Sequence, residues 1–256
     1  MSLQACAELV ARGDPDRFRA TMAAPVDARR VLFPLYAFNI EVSRAPWVTA
    51  EPMIAEMRLQ FWRDVVEELA SGKPPRAHEV IAPLAAAIPA DLVGLLDGLI
   101  TARRWDIYSD PFEDRAQFDA YVDQTSGSLV TVAARALGAA GDAEPVLRDA
   151  GWAFGLAAFF RAIPALETAG RVPLVEGTPQ AVRDLADEGL ARLRAARSNR
   201  KMIPRMARSA LFVGWRAEAA LKAARDVPER VIEGKLDESE FARRARLLWV
   251  SSTGLW

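Results

Sequence analysis

Along almost the whole chain, apolar residues recur at spacings of three and four, the period that lays them along one face of an α-helix. Alternating β-branched runs closed by Asn-Gly or Gly-Gly turns, the pattern of hairpins, are nearly absent. Such a chain is expected to fold as an all-α helical bundle around a central apolar region. The spacing predicts helices over Leu3–Arg12, over Val26–Ala45, and from the candidate N-cap Thr49 through the row Met57, Phe61, Val65 and Leu69 to Gly72. It predicts others over Ala77–Ile88, Leu92–Tyr108, Asp114–Leu137, Val146–Leu166, Pro179–Arg197, Met202–Arg225 and Glu238–Val250. Asp14-Pro15 reads as a turn, Pro46 as a stop or kink, and Lys73-Pro74-Pro75 as a loop. Neither an internal repeat nor a Pro-, Gly- or Ser-rich linker divides the 256 residues, so one domain over residues 1–256 is expected.

Composition narrows the chemistry. Cys6 is the one cysteine and His78 the one histidine, which excludes a disulfide framework, Cys-rich metal sites and multi-His zinc sites, and leaves a Ser-His-Asp or Cys-His arrangement one histidine at most. Catalysis would have to use carboxylates, Arg, Lys, Tyr or a metal held through oxygen. Basic and acidic residues number 33 and 34, a net charge of −1, so no chain-wide polyelectrolyte partner is implied. The aromatic residues are not interleaved with basic ones as a nucleic-acid groove requires, and no nucleic-acid partner is expected. No apolar run approaches the ~18 residues that span a bilayer. Glu8, Asp14 and Asp16 interrupt any secretory or mitochondrial leader, so a cytoplasmic protein is expected.

Four segments carry a resemblance. The run Leu35-Tyr36-Ala37-Phe38-Asn39-Ile40-Glu41-Val42-Ser43-Arg44-Ala45-Pro46-Trp47 resembles the first helix motif of the squalene/phytoene synthase family. In active members an arginine and a D-D-x-x-D run follow the aromatic opening. Here Ile40 stands for the arginine, and Ser43, Arg44 and Trp47 stand for the aspartates. Met57-Arg58-Leu59-Gln60-Phe61-Trp62-Arg63 is similar to the family's R-L-x-x-W-R segment, and Tyr121 to Leu129 to its Y-C-x-x-V-A-G-x-V helix. Gly151 to Arg161 is similar to G-x-A-x-Q-L-T-N-I-L-R, with Gly155 and Ala158 in place of Gln and Asn, and Gly170-Arg171-Val172-Pro173-Leu174 follows. Ala162 and Leu166 occupy the second pair of aspartate positions. The blocks keep the family's order over about Arg29 to Leu174.

The resemblance implies an isoprenoid-synthase-type bundle with a central apolar cavity. It assigns Tyr36, Phe38, Arg58, Trp62, Tyr121, Gly127, Gly155, Phe159 and Arg161 to that cavity or its ligand. Active members are understood to hold Mg²⁺ on two facing helices through carboxylates that bind an isoprenoid diphosphate. Mg²⁺ takes hard oxygen ligands, typically one or two carboxylates with phosphate oxygens. Ser43, Arg44 and Trp47 on one side, and Ala162 and Leu166 on the other, remove them. One charge pair at ~4 Å is worth about 4 kcal/mol at an effective dielectric near 20. Losing two from a transition state costs roughly 10⁵- to 10⁶-fold in rate.

Other carboxylates are spaced i, i+4 at Asp64/Glu68, Asp119/Asp123 and Asp184/Glu188, and solvated helix faces are their simplest reading. Asp119/Asp123 flanks Tyr121 and is the pair nearest the implied cavity. His78 reads as a surface residue, Cys6 as a small packed or semi-exposed side chain, and Phe154, Phe159 and Phe160 as a buried wall. Arg192, Arg194, Arg197, Arg200, Lys201, Arg205 and Arg208 form a run of seven positive charges with no acidic residue between them. The run reads as a solvated face, or as a contact for an anionic membrane or acidic protein, each basic residue near such a leaflet adding ~1 kcal/mol. Arg243, Arg244 and Arg246 beside Leu247, Leu248 and Trp249 suit an interfacial helix.

Scaffold kept and aspartates lost is a pattern similar to a non-catalytic branch of the family, represented by a mitochondrial complex I assembly factor. The resemblance implies a pseudoenzyme without cofactor that assists respiratory complex I subunits or assembly intermediates, with a prenyl or lipid ligand in the cavity. A bacterial location in the cytoplasm, peripheral at the inner face of the membrane, is expected. The alternatives are a prenyltransferase acting on farnesyl or geranylgeranyl diphosphate with a rearranged Mg²⁺ site, and a carrier of apolar ligands.

Overall fold

A computed structural model of the chain describes residues 2–256. Among the described residues there are fourteen α-helices and no strand. Helix α1 (Leu3–Gly13) ends at Asp14, which turns the chain and at once caps α2 (Pro15–Ala23) by accepting a hydrogen bond from the Arg17 amide at 2.9 Å. The Asp14-Pro15 turn is therefore also a helix start: an acidic N-cap followed by proline at the first helical position. Helix α3 (Val26–Arg44) follows, and its stretch from Leu32 to Ile40 is buried on every side, so it is a central helix rather than an amphipathic surface one. Pro46 turns its end into a 3₁₀ segment, Ala45–Trp47.

Helix α4 (Pro52–Ala70) starts at Pro52, with Glu51 at its cap position. Thr49 acts one step earlier, its hydroxyl accepting from the Glu51 amide at 3.1 Å. The buried face of α4 is Ala55, Leu59, Trp62, Val65, Val66 and Leu69, which turns the expected row by part of a turn: Met57 is 66% exposed. Trp62 decides this rotation, because its ring packs edge-on against Phe38 at 5.4 Å. His78 is half-buried rather than a free surface residue; its ring lies 5.4 Å from Trp62 and its Nδ1 accepts from the Val80 amide.

Three predicted helices are divided in the structure. The segment expected over 92–108 is α6 (Ala90–Val93), α7 (Leu95–Ala102) and a 3₁₀ turn, Arg103–Asp106, after the short α5 (Ile81–Ala87). The segment over 114–137 is α8 (Arg115–Val122), a π turn (Asp123–Gly127) and α9 (Ser128–Ala136). There the Thr125 hydroxyl donates to the Tyr121 carbonyl at 2.6 Å, adding a side-chain bond where the backbone ladder widens. Helix α10 (Glu144–Thr168) and helix α11 (Pro179–Ser198) run essentially as expected. The segment over 202–225 is divided: Pro204 holds Ile203 extended, a 3₁₀ run occupies Ala207–Gly214, and α12 spans Ala217–Asp226. The chain closes with α13 (Glu229–Ile232) and α14 (Glu240–Thr253).

Helix α10, 25 residues long, forms the axis of one contiguous apolar core. Its Gly151 lies so near the π turn that a Cβ there would sit 2.7 Å from the Gly127 Cα, and one on Gly155 would sit 2.6 Å from the Ser126 Cβ. The two elements thus pack backbone to backbone. At the far end of the fold, Trp256 is buried edge-on against Phe154, and Arg197 donates to the Trp256 carbonyl while pairing with Glu218 at 2.7 Å. Burial pushes the Glu218 carboxyl up, but hydrogen bonds from Lys222 and Arg197 outweigh it and bring the group down to about 2.

Three substitutions test this packing. Gly151→Ala forces backbone apart and should cost about 1–3 kcal/mol, lowering Tm by about 2–4 °C for each kcal/mol. Gly98→Ala, in α7 with open space around the new methyl, should instead stabilise by about 0.5–1 kcal/mol. Thermal melts followed by circular dichroism distinguish the two signs. Glu218→Gln should destabilise the fold at pH 7. Because the folded carboxyl is depressed, its contribution is present above the ordinary glutamate range near 4.5 and fades as pH falls toward 2. Urea titrations of both proteins should therefore converge over that interval, and a constant gap would refute the clamp.

Candidate functional site

A cavity of about 570 Å³ opens between α3, the π turn and α10. Its apolar wall is Leu129, Gly155, Ala158, Phe159, Ala162, Ala165 and Leu166. Gly155, required by the close approach of the π turn, and the alanines that follow it on α10 leave the space open. Behind Phe159 stands an aromatic cluster in which Trp105 stacks on Phe112 at 4.1 Å and Phe118 meets Phe159 edge-on at 5.3 Å. Trp47 lies at the rim, with the Arg171 guanidinium 4.9 Å from its ring centroid. Arg171 also donates to the carbonyls of Trp105, Asp106 and Tyr108, tying the loop after α10 to the 3₁₀ turn.

The polar lining has two parts. In the first, the buried Asp106 pairs with Arg103 at 3.1 Å and accepts from the Tyr121 hydroxyl at 3.0 Å, while Arg103 also donates to Tyr121 at 2.9 Å. Burial pushes the Tyr121 phenol far up, so it stays protonated and acts as a donor. Burial disfavours the charged Arg103, but the hydroxyl of Tyr121 and the carboxylate of Asp106 outweigh that and hold it positive. The second part is Arg17 of α2 with Asn39 and Ser43 of α3.

The two sets of positions implied for metal ligands line the same cavity: Ser43 on α3 and Trp47 on the 3₁₀ segment after it, Ala162 and Leu166 on α10. Arg44, next in sequence to Ser43 but on the outer face of the helix end, is exposed to solvent instead. Of the residues lining the cavity, Asp106 is the one with a carboxylate, and it is taken by Arg103 and Tyr121. Among the described residues, no group of three or more His, Cys, Asp or Glu is placed to hold a metal ion. The donor set does not fit a Mg²⁺ cluster.

Of the residues assigned through the resemblance, Tyr121, Gly155 and Phe159 line the cavity. Gly127 serves the contact with α10 rather than the ligand space. Phe38 and Trp62 pack on each other in the core, and Arg58 is exposed on α4. Tyr36 is buried beside Arg17 but is not part of the lining. Arg161 faces away from the cavity. It pairs with Asp16 and Asp237, which also bind Arg216, and Asp16 accepts from Arg243 of α14 as well.

Asp119 and Asp123 do not act as a pair. Asp119 goes to Arg115 at 2.8 Å and Asp123 to Arg148 at 2.7 Å. Asp64/Glu68 and Asp184/Glu188 likewise find separate partners on other side chains. Cys6 is fully buried, its thiol pushed up to about 11 first by burial, which makes it a packing residue.

The basic run also divides. Arg192 pairs with Glu188 and Asp149 and lies 4.3 Å from the Trp152 ring centroid, Arg197 holds the C-terminal residue, and Arg208 donates to the Ile203 carbonyl. Arg194, Arg200, Lys201 and Arg205 are exposed and have no ion pair among the described residues. Arg17, Asn39, Arg103 and Asp106 were not singled out by sequence reasoning. Asn39 lies within the Tyr-Ala-Phe-Asn run; the other three carried no signal beyond being polar residues in helical segments.

The chain matches the squalene/phytoene synthase family over residues 10–231. It is 25% identical to the Drosophila melanogaster homolog of NADH dehydrogenase (ubiquinone) complex I assembly factor 6, over 96% of this chain and 82% of that protein. The Mus musculus complex I assembly factor 6 is 26% identical over 62% of this chain and 48% of that protein. In three dimensions, a dehydrosqualene synthase in complex with ligand superposes with a TM-score of 0.77, covering 98% of this chain and 95% of that one at 15% identity. The squalene synthase HpnC from Alicyclobacillus acidocaldarius superposes at 0.73, covering 88% and 93% at 15% identity. These two likenesses establish the fold alone. With its all-α isoprenoid-synthase architecture and a sequence match spanning most of its length, the chain belongs to the squalene/phytoene synthase family.

Proposed function

We propose that this protein is a non-catalytic member of its family that serves as an assembly or binding factor for respiratory complex I. The observation that carries the reading is the presence of Ser43 and Trp47 together with Ala162 and Leu166 in the cavity lining. Neither set offers the oxygen anions that bind Mg²⁺. The relatives named as complex I assembly factor 6 supply the direction of the proposal. The clients would be complex I subunits or assembly intermediates, and the cavity would hold a prenyl or lipid chain rather than a reacting diphosphate.

Work at the inner face of a bacterial membrane is part of the same proposal. Arg194, Arg200, Lys201 and Arg205, exposed beside Met202 and Met206, supply positive charge and apolar surface together. On α14, Phe241, Leu248 and Trp249 are exposed alongside Arg244. Among the described residues no single helix is long and apolar enough to cross a membrane, so contact here would be peripheral.

Deletion of the gene should reduce the complex I band and its NADH dehydrogenase activity on native gels several-fold, with recovery from a plasmid copy. Normal complex I in the deletion strain overturns the assembly reading. Purified protein given farnesyl or geranylgeranyl diphosphate with Mg²⁺ or Mn²⁺ should form no coupled hydrocarbon above a heat-inactivated control. Steady product formation would make the chain a prenyltransferase with a rearranged metal site.

A further inference from the structure

The polar corner of the cavity is incompletely satisfied. Arg17 places its Nε 3.2 Å from Asp14, but its Nη1 is buried without a partner. Asn39, more than nine-tenths buried, lines the cavity with its Oδ1 likewise unpartnered. The ring of Tyr36 lies 5.0 Å from the Arg17 guanidinium, a cation–π contact that helps to hold that group in place. Buried polar atoms almost always find partners, and these two idle ones in one lining, with Arg103 Nε a third, point to a ligand group that completes them. An amide can present its N–H₂ or its oxygen by a half turn, so Asn39 can donate beside Arg17.

Charge selects the kind of ligand. Arg17, Arg103 and Asp106 are the ionisable lining residues with a formal charge, which leaves one positive charge in excess. Arg103 and Asp106 are bound to each other and to Tyr121, whereas Arg17 is paired through its Nε with Asp14 outside the lining and keeps its Nη1 free for a further acceptor. A diphosphate would bring about three negative charges to a place with one guanidinium and no metal donors, leaving charge uncompensated beside an apolar wall. A carboxylate brings one, and a guanidinium binds it with charge-assisted hydrogen bonds. Beyond Asn39 the lining turns apolar through Leu129, Gly155, Ala158, Phe159 and Ala162, in a volume within the usual range for small-molecule sites.

We infer that the cavity is a metal-independent site for a long-chain carboxylate, its head on Arg17 and Asn39 and its aliphatic tail along α10. This deepens the non-catalytic reading of the same site and rests on it, in that the ligand is held and not turned over. Lipid-stripped full-length protein titrated with oleate below its micellar concentration, followed by calorimetry, should bind one equivalent with micromolar Kd, unchanged by EDTA. Arg17→Gln should weaken oleate at least tenfold while farnesol, with a neutral head, changes less than twofold; Arg17→Lys should recover part of the loss. Ala162→Phe, which fills the tail channel, should abolish binding of both.

Equal binding of oleate and farnesol with no effect of Arg17→Gln overturns the head assignment. Oleate binding that survives Ala162→Phe places it elsewhere, and tighter Mg²⁺-dependent binding of farnesyl diphosphate, or no oleate binding at 100 µM, also overturns the proposal. Circular dichroism melts establish that each variant is folded. Complementation of the deletion strain is read separately: an Arg17→Gln protein that loses oleate but restores complex I separates the ligand from the assembly role.

Discussion

The approach of α10 to the π turn is the contact on which the rest of the molecule depends. Gly151 and Gly155 let the backbone of Asp123–Gly127 come within van der Waals distance of the α10 backbone, closer than side chains would permit. This sets where Tyr121 and Thr125 stand, on one side of the contact, and where Phe159 and Ala162 stand on the other. The widened π turn is part of the same device: an ordinary α-helical path through residues 123–127 would rotate Tyr121 relative to Ser126 by a residue's worth of turn. The cavity is thus a consequence of two helices touching at glycines and diverging where the side chains of α10 are small.

Arginine organises the polar side of this fold. Arg103 closes a buried triad with Asp106 and Tyr121, and Arg171 stitches a loop to three carbonyls at the cavity rim. Arg161, Arg216 and Arg243 converge on Asp16 and Asp237 and hold α14 to the body. Burial pushes the Asp16 carboxyl up, yet hydrogen bonds from Arg216 and Arg243 outweigh it and keep it ionised. Planar forked donors suit such shared, partly desolvated sites better than a lysine ammonium would. Most of the positive charge that looks free along the chain is consumed in this way. Arg194, Arg200, Lys201 and Arg205 remain at a corner near the C-terminal end of α11, while the cavity rim at Trp47 and Ala169 lies toward the C-terminal end of α10.

Apolar patterning was sufficient for the all-α class and for helices α1, α3, α10 and α11: α1 and α11 bury one face and show the 3.6-residue stripe, whereas α3 and α10 are buried on most sides and stand out as long apolar segments. Proline and threonine at Pro46 and Thr49 marked a real break, although the cap itself lies at Glu51. The resemblance located Tyr121, Gly155 and Phe159 in the segments that meet around the cavity, and put Ser43 and Trp47 in one lining with Ala162 and Leu166.

What the sequence determined by itself was the chemistry at hand: one histidine, one cysteine, and neutral side chains or arginine where a metal-binding relative would carry aspartate. Tertiary structure decided which polar groups are spent and which are left. Arg17 and Asn39 are 22 residues apart and line one cavity only because α2 folds back on α3, and Asp123 finds its partner in Arg148 of another helix. The divisions at the π turn and at Ala207–Gly214 also come from packing, since the local pattern there is as helical as anywhere else in the chain. Periodicity reports which face of a segment is buried, a property of near neighbours. The pairing of charges and the opening of a cavity depend on distances between segments remote along the chain, and no local pattern encodes those.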